Sequence, residues 1–327
     1  MLKVPSHIAV LTSGGDAPGM NAAIRAVVRS AVYYGKRVSG VYNGYEGLID
    51  ATFEELDSRS VKYILNHGGT FLKSARSQRF RTTEGRKQAY ENLVKAGIDA
   101  LIVIGGDGSF TGAKIFSEEF DFQVIGVPGT IDNDLYGTDF TIGFDTATNT
   151  AIECIDKIRD TASSHDRLFL VEVMGRDSGF IALRSAIAAG ALEVIMPENS
   201  ITYDQLYQSI ERAGQNKKFS NIIVVAEGNK LGNIFEISDH LKAKFPHLDI
   251  KVTILGHLQR GGSPTVFDRV LASKLGVAAV EGLLIGRNKV MAGVMHNQVI
   301  YTPFEEAITR RAYINPELIR INKILTI

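Results

Sequence analysis

With 327 residues, 45% apolar and 22% charged, the chain is long enough for two α/β lobes or one large domain. Lys plus Arg equal Asp plus Glu at 36 each, so bulk charge points to neither a nucleic-acid partner nor an anionic membrane. The single cysteine, Cys154, excludes an intrachain disulfide and fits a reducing compartment. No apolar stretch approaches the roughly 20 residues that span a bilayer, and Met1–Pro5 lead into a short apolar run without the form of a secretion signal, so a cytoplasmic location is expected.

One arrangement recurs along the chain: a short apolar run, a Gly-rich turn, then an amphipathic helix. His7–Leu11 leads through Gly14-Gly15-Asp16 into a helix from about Asn21, with Met20, Ala23, Ile24, Val27, Val28 and Ala31 as its apolar stripe. Ala100–Ile104 leads into Gly105-Gly106-Asp107-Gly108, and Val124–Val127 into Pro128-Gly129-Thr130. A lobe boundary is placed near Phe144. Beyond it Ala151, Ile152, Ile155 and Ile158 form a second stripe, with Cys154 beside it as a structural residue. Leu168–Val173 then precedes Gly175-Arg176, and Ile222–Ala226 precedes Glu227-Gly228. Continuous apolar runs suit strands buried on both faces of a parallel sheet, and such sheets bind ligands beyond their carboxyl ends, where all these polar clusters fall. Similar numbers of repeats on each side of the boundary predict two like lobes. Whether the chain crosses back between them is left open by the residues alone.

The turn Thr12–Gly19 reads as a phosphate loop or as a tight strand-to-helix turn. It is not Walker A, because Met20 and Asn21 stand where Lys and Ser/Thr would follow Gly19. It is not the dinucleotide fingerprint, because Asp16 stands at its second glycine and no acid ends the next apolar segment. In Gly105–Ser109, Asp107 suits Mg²⁺ bridging phosphates, or caps the following helix. In Pro128–Asp134, an extended backbone would put Thr130, Asp132 and Asp134 on one side, one carboxylate serving as base and the other near a metal; the alternative is an Asx-rich turn. Arg76, Arg167, Arg176 and Arg260 each sit near a glycine or strand end and offer planar forks for phosphate oxygens, which suggests a substrate with more than one phosphate.

Leu11–Asn21, Gly105–Ser109, Pro128–Asp134, Met174-Gly175-Arg176 and Leu255-Gly256-His257 through Pro264 together resemble, in order and over essentially the whole chain, the bacterial ATP-dependent 6-phosphofructokinases. The resemblance implies an α/β protein of two similar Rossmann-like, three-layer lobes with mostly parallel sheets and the active site in the cleft between them. Residues 1–143 and 259–309 would bind ATP, and 144–258 and 310–327 fructose 6-phosphate, in a homotetramer built as a dimer of dimers. It implies an alcohol-accepting phosphotransferase of glycolysis in which the ATP γ-phosphoryl passes directly, in line, to the sugar 1-hydroxyl, with Mg²⁺ as cofactor. By motif, Asp132 would be the base, Asp107 would hold Mg²⁺ with Asp134 nearby, and Arg76, Thr130 and Arg176 would steady the transferring group. Gly15, Arg76, Ser77, Gly106, Asp107, Gly108 and Ser109 would contact ATP. Thr130, Ile131, Asp132, Arg167, Met174, Gly175, Arg176, Glu227, Lys251, His257, Leu258, Gln259 and Arg260 would contact the sugar phosphate, Lys251 reaching across an interface in place of a family arginine.

Pyrophosphate-dependent relatives typically carry Asp at the position of Gly108 and Lys at that of Gly129, so glycine at both favours ATP. A silent sugar-phosphate sensor is the other alternative; it would have lost Asp107, Asp132 or Asp134, and all are present. The family's effector site for ADP or phosphoenolpyruvate aligns with Arg25, Arg29, Arg159, Gly190, Lys217 and Lys218. It departs at Ser58 (Arg59 adjacent), Leu192 (Glu193 adjacent) and Phe219, so weak ADP activation is expected.

Overall fold

The computed structural model describes residues 4–163, 167–215 and 222–326. In chain order its elements are β1 (His7–Thr12), α1 (Met20–Tyr33), β2 (Arg37–Val41), α2 (Gly44–Ile49), β3 (Phe53–Leu56), α3 (Thr83–Lys95), β4 (Ala100–Gly105), α4 (Asp107–Glu119), β5 (Gln123–Pro128) and α5 (Phe144–Ser163). There follow β6 (Arg167–Val173), α6 (Phe180–Ala189), β7 (Glu193–Ile195), α7 (Tyr203–Gln215), β8 (Ile222–Ala226), α8 (Ile234–Lys244) and β9 (Asp249–Ile254). The chain ends with α9 (Val266–Leu284), β10 (Val290–Met295), β11 (Gln298–Pro303), α10 (Phe304–Thr309) and α11 (Pro316–Leu325), with 3₁₀ turns at Arg79–Arg81 and Gly256–Arg260. No helix among the described residues is long and apolar enough to cross a membrane.

By internal contacts the chain divides into two compact units, Met1–Ile131 with Leu135–Thr146 and Arg260–Ala312, and Asp132–Asp134 with Ala147–Gln259 and Tyr313–Ile327. The breaks at 146/147, 259/260 and 312/313 stand against expected ones at 143/144, 258/259 and 309/310, and Asp132–Asp134, expected with the first lobe, groups with the second unit.

The first unit holds a seven-stranded sheet, β11-β10-β5-β4-β1-β2-β3, parallel except for its edge strands β11 and β3. Strands β1, β4 and β5 are buried along their whole length. Alternation sends their residues to two opposite layers. Ala9, Leu11, Leu101, Val103 and Val124 join Tyr45, Leu48, Phe80, Leu93, Phe110 and Phe116 in one core, while α1 and α9 pack against each other and onto the sheet. The α1–α9 contact needs glycine at 276, where a Cβ would come within 2.8 Å of the Ala23 carbonyl oxygen. From β1 the chain runs to β2 on one side and returns to β4 on the other, so the switch point, where such sheets take ligands, lies between β1 and β4.

The second unit holds a smaller, four-stranded parallel sheet, β7-β8-β6-β9. Leu168, Leu170, Ile223 and Val225 pack on Leu206, Ile210, Ile237 and Leu241 of α7 and α8, while α6 packs on β7 and β8 with α11 against it. The two lobes thus share a plan but differ in sheet size.

Candidate active site

Three turns of the first unit meet at the carboxyl ends of β1, β4 and β5. The Ser13 amide donates to the Ile104 carbonyl at 2.9 Å and the Gly129 amide to the Gly105 carbonyl at 2.9 Å. Glycine at 105 is required by this crowding: a Cβ there would lie 2.5 Å from Ser109 Oγ and 2.6 Å from the Ser13 carbonyl oxygen. Gly106 rests against the Thr130 side chain, and the Thr130 carbonyl accepts from Thr141 Oγ1 at 2.6 Å. Gly19, at φ 109°, is the N-cap of α1, a left-handed conformation that glycine adopts without strain.

Gly106 also caps α4, so Asp107 is not the cap but the first helical residue, with an exposed side chain. Gly108 beside it opens onto empty space, with no atom within 4 Å of an added Cβ. Among the described residues no group of three or more His, Cys, Asp or Glu is placed to hold a metal ion. The exposed Asp107 carboxylate, beside the open space at Gly108, fits Mg²⁺, which ordinarily takes one or two carboxylates and completes its shell with phosphate oxygens and water.

Arg76 is exposed on a segment of irregular backbone. Ser74 Oγ donates to the Gly14 carbonyl at 3.0 Å, holding that segment to the first turn. Ser77, expected at ATP, donates its hydroxyl to Glu46 and accepts from the Phe80 amide at 3.0 Å. Arg260 lies over the same turn: its Nη1 donates to the Asp16 carbonyl at 3.0 Å, and a Cβ on Gly15 would come within 2.7 Å of it.

In the second unit the turns after β6 and β8 and the 3₁₀ turn after β9 converge. Gly175 and Arg176 take left-handed φ values of 147° and 56°. Glu227 Oε1 fixes that turn by accepting from the Gly175 and Arg176 amides at 3.3 and 2.7 Å. Gly228 permits the approach, since a Cβ would lie 1.8 Å from the Arg176 carbonyl oxygen. The buried Gln259 accepts from the Met174 amide at 2.8 Å, while His257 and Leu258 beside it are exposed. Ser178 Oγ donates to the Asp132 carbonyl at 2.7 Å. Burial, reinforced by the charge of Glu227, raises the pKa of Glu172 on β6. The extended reading of Thr130–Asp134 does not hold. Ile131 and Asp132 lie in a bend and Asn133 stands at φ 54°, a conformation asparagine tolerates, so strict alternation does not set the facing of Asp132 and Asp134.

Arg167 and Lys251 sit at the other end of this sheet. Arg167 opens β6 and pairs with Asp249 at 3.0 Å; Lys251 pairs with Asp249 at 2.7 Å. The Lys251 hydrogen bond, then that of Arg167, holds the Asp249 carboxyl below the usual range. At about 3.3 Å per residue, Arg167 lies about 23 Å along β6 from Met174, and Lys251, opposite Phe169, about 17 Å.

Of the expected effector residues, Arg25 and Arg29 lie on α1; burial, then the charge of Arg29, lowers the Arg25 pKa, and Arg29 reaches the Ser58 carbonyl at 3.5 Å. In the second unit Arg159 donates to the Ala189 carbonyl, next to Gly190, the C-cap of α6 at φ 57°. Leu192 is buried in the core, and Glu193 accepts from Ser209 Oγ at 2.8 Å. Lys217, Lys218 and Phe219 lie outside the described residues.

Sequence reasoning passed over Tyr45 and Glu46 on α2. The buried Tyr45 donates its hydroxyl to the Ser109 carbonyl, and Glu46 accepts from Ser77 and Arg79. Their one local signal is the flanking pair Gly44 and Gly47; a Cβ on Gly47 would sit 1.7 Å from the Tyr42 carbonyl oxygen.

A family model described as Phosphofructokinase matches residues 7–283. The chain is 53% identical over 320 residues, 98% of either chain, to ATP-dependent 6-phosphofructokinase 2 of Bacteroides thetaiotaomicron. It is 52% identical over 325 residues, 98% of this chain and 99% of the other, to ATP-dependent 6-phosphofructokinase 1 of Thermus thermophilus. Among solved structures, phosphofructokinase from Saccharomyces cerevisiae superposes with a TM-score of 0.88 at 40% identity, over 93% of this chain but only 45% of the yeast chain. A pyrophosphate-dependent phosphofructokinase from Nitrosospira multiformis matches with a TM-score of 0.86 over 97% of this chain and 90% of the other; at 21% identity the likeness is one of fold. The turns gathered at the switch point and the match along most of the sequence agree: the chain belongs to the phosphofructokinase family.

Proposed function

We propose that the protein is an ATP-dependent 6-phosphofructokinase, transferring the γ-phosphoryl of ATP to the 1-hydroxyl of fructose 6-phosphate. The observation that carries this is the convergence of Ser13–Gly19, Gly105–Ser109 and Gly129–Thr130 at the switch point of the first sheet, with Asp107 exposed and Gly108 open beside it. Backbone N–H groups and Arg76 are assigned to the nucleotide phosphates. Asp107 would hold Mg²⁺, which when bound neutralises charge on the phosphates. Asp132 is assigned as the base that takes the proton of the sugar hydroxyl, with Thr130, Arg76 and Arg176 steadying the charge that develops on the transferring group.

In the second unit the Met174–Arg176 turn, Glu227 and Gln259 are assigned to the sugar. Gln259 Nε2 is buried with no hydrogen-bond partner among the described residues, a donor that a ligand oxygen would satisfy. Arg167, at the start of β6, and Lys251, on β9 opposite Phe169, stand too far from the Met174–Arg176 turn to share that ligand within one chain. They are assigned to the 6-phosphate held by a neighbouring copy, as expected in a homotetramer. ADP and phosphoenolpyruvate are the proposed effectors.

The donor is tested by comparing ATP and pyrophosphate with Mg²⁺ and fructose 6-phosphate. Turnover with ATP and at most a trace with pyrophosphate is expected; turnover with pyrophosphate alone would replace this reading with that of the pyrophosphate-dependent relatives.

A further inference from the structure

We infer that Glu46 is a positioning residue that holds Arg76 in place for phosphoryl transfer, and that α2 thereby links the Arg76 segment to the Gly105–Ser109 turn. The inference rests on the assignment of both to ATP.

Arg76 lies on backbone without helix or strand, so its guanidinium is placed by whatever ties that segment at its two ends. At the front, Ser74 is bound to the Gly14 carbonyl. At the back, both oxygens of Glu46 are engaged: Oε2 accepts from the Ser77 hydroxyl, and Oε1 from Arg79 Nη1 at 2.6 Å. Arg79 is shared with Asp50 at 2.9 Å. The helix carrying Glu46 is itself fixed, because Asn92 Nδ2 donates to the Leu48 and Ile49 carbonyls at 3.0 and 2.8 Å, and Gly47 is pressed against the Tyr42 carbonyl. Tyr45, the preceding residue, stacks on Phe80 with centroids 4.1 Å apart and donates to the Ser109 carbonyl. Two consecutive residues of one short helix thus hold the two segments assigned to the nucleotide.

Arg79 is 54% exposed and Glu46 26% exposed, so water screens the ion pair and its share in global stability is small. Its effect is expected in kinetics, where a misplacement of about 1 Å costs on the order of 10²-fold.

Wild type is measured first, with Mg-ATP and fructose 6-phosphate; a folded wild type without turnover would overturn the assignment of the site, and this inference with it. Given turnover, Glu46→Ala is expected to lower kcat/KM for ATP by roughly 10–100-fold, with KM for fructose 6-phosphate within about threefold of wild type. Glu46→Gln keeps an acceptor for Ser77 and is expected to recover most of the loss. Glu46→Asp, which keeps the charge but draws the carboxylate back by one methylene from Ser77 and Arg79, is expected to move kcat/KM for ATP in the same direction and decides the matter should Glu46→Ala fail to fold. A folded Glu46→Ala with kcat/KM for ATP within about twofold of wild type would overturn the inference, as would an unchanged Glu46→Asp.

Discussion

Asp132 is buried, and its backbone carbonyl accepts from Ser178 Oγ at 2.7 Å. If it is the base, Asp132→Ser lowers kcat by roughly 10²–10⁴-fold while KM for fructose 6-phosphate changes far less, because a base acts chiefly in the transition state. Steady-state kinetics checks this; kcat within about threefold of wild type would remove Asp132 from that role. A second carboxylate, Asp268, does structural work. It accepts from the Gly143 and Thr146 amides, both at 2.8 Å, and from the Thr146 hydroxyl at 2.5 Å, tying the start of α9 to the start of α5. Burial pushes its pKa from 3.8 up to about 6 despite those bonds, with the charge of Asp145 adding to the rise. A raised carboxyl pKa means that the folded state binds the proton more tightly than the unfolded one. Stability from this group is therefore greatest below about pH 4 and declines as pH rises through about 6, by about 3 kcal/mol. Urea denaturation of wild type and Asp268→Asn should show the wild-type advantage shrinking by that amount between pH 4 and pH 7; a constant gap would contradict it.

At the scale of elements, the two glycines that bear on the choice of donor are held by different causes. Gly129 is packed: a Cβ there would lie 3.0 Å from Ile104 and 3.1 Å from Met20, so the protein itself limits what stands at this position. Gly108, in the first turn of α4, meets nothing within 4 Å, so the fold does not require glycine there. Gly108→Asp is accordingly expected to leave the unfolding midpoint within about 2 °C of wild type. It should lower kcat/KM for ATP at least about tenfold, by setting a negative charge beside the phosphates. Thermal melts and kinetics on the same preparation separate the two effects. Unchanged ATP kinetics would mean that the nucleotide does not pass over this turn.

For the whole molecule, the placement of Arg167 and Lys251 on Asp249, a strand length from the Met174–Arg176 turn, ties their function to assembly. Lys251→Ala is expected to raise KM for fructose 6-phosphate by roughly tenfold with kcat within about threefold, as for loss of one phosphate contact. An unchanged KM would leave Lys251 as a surface lysine paired with Asp249. Regulation is expected to be weak. Leu192, one of the positions at which the chain departs from the family's effector site, is packed in the core, and Glu193 beside it is engaged by Ser209. ADP should then activate little, and phosphoenolpyruvate should inhibit only at high concentration, because an effector shifts a two-state balance only by its differential affinity. Rate curves in fructose 6-phosphate test this; a strongly sigmoidal curve made hyperbolic by low ADP would show that Arg59 and Glu193 have taken over.

The apolar runs that became β1, β4, β5, β6 and β8, the stripe on α1 and the glycine turns at the strand ends were legible in the sequence because each is local. Burial on both faces demands unbroken apolar residues, and a close turn demands glycine within a few positions of a strand. Their motifs also carry the resemblance to the family that the chain belongs to. Between an extended run and an Asx-rich turn at Pro128–Asp134 the sequence does not choose, because a left-handed φ at Asn133 leaves little trace in composition. The grip of Glu46 on Ser77 and Arg79, the burial of Asp268 against Thr146 and the distance of Arg167 from Met174 were decided by the tertiary structure alone. Each joins or separates residues through strand order and helix packing. Hydrogen bonds between positions 31 or 122 apart in the chain follow from topology and leave no period or spacing to read.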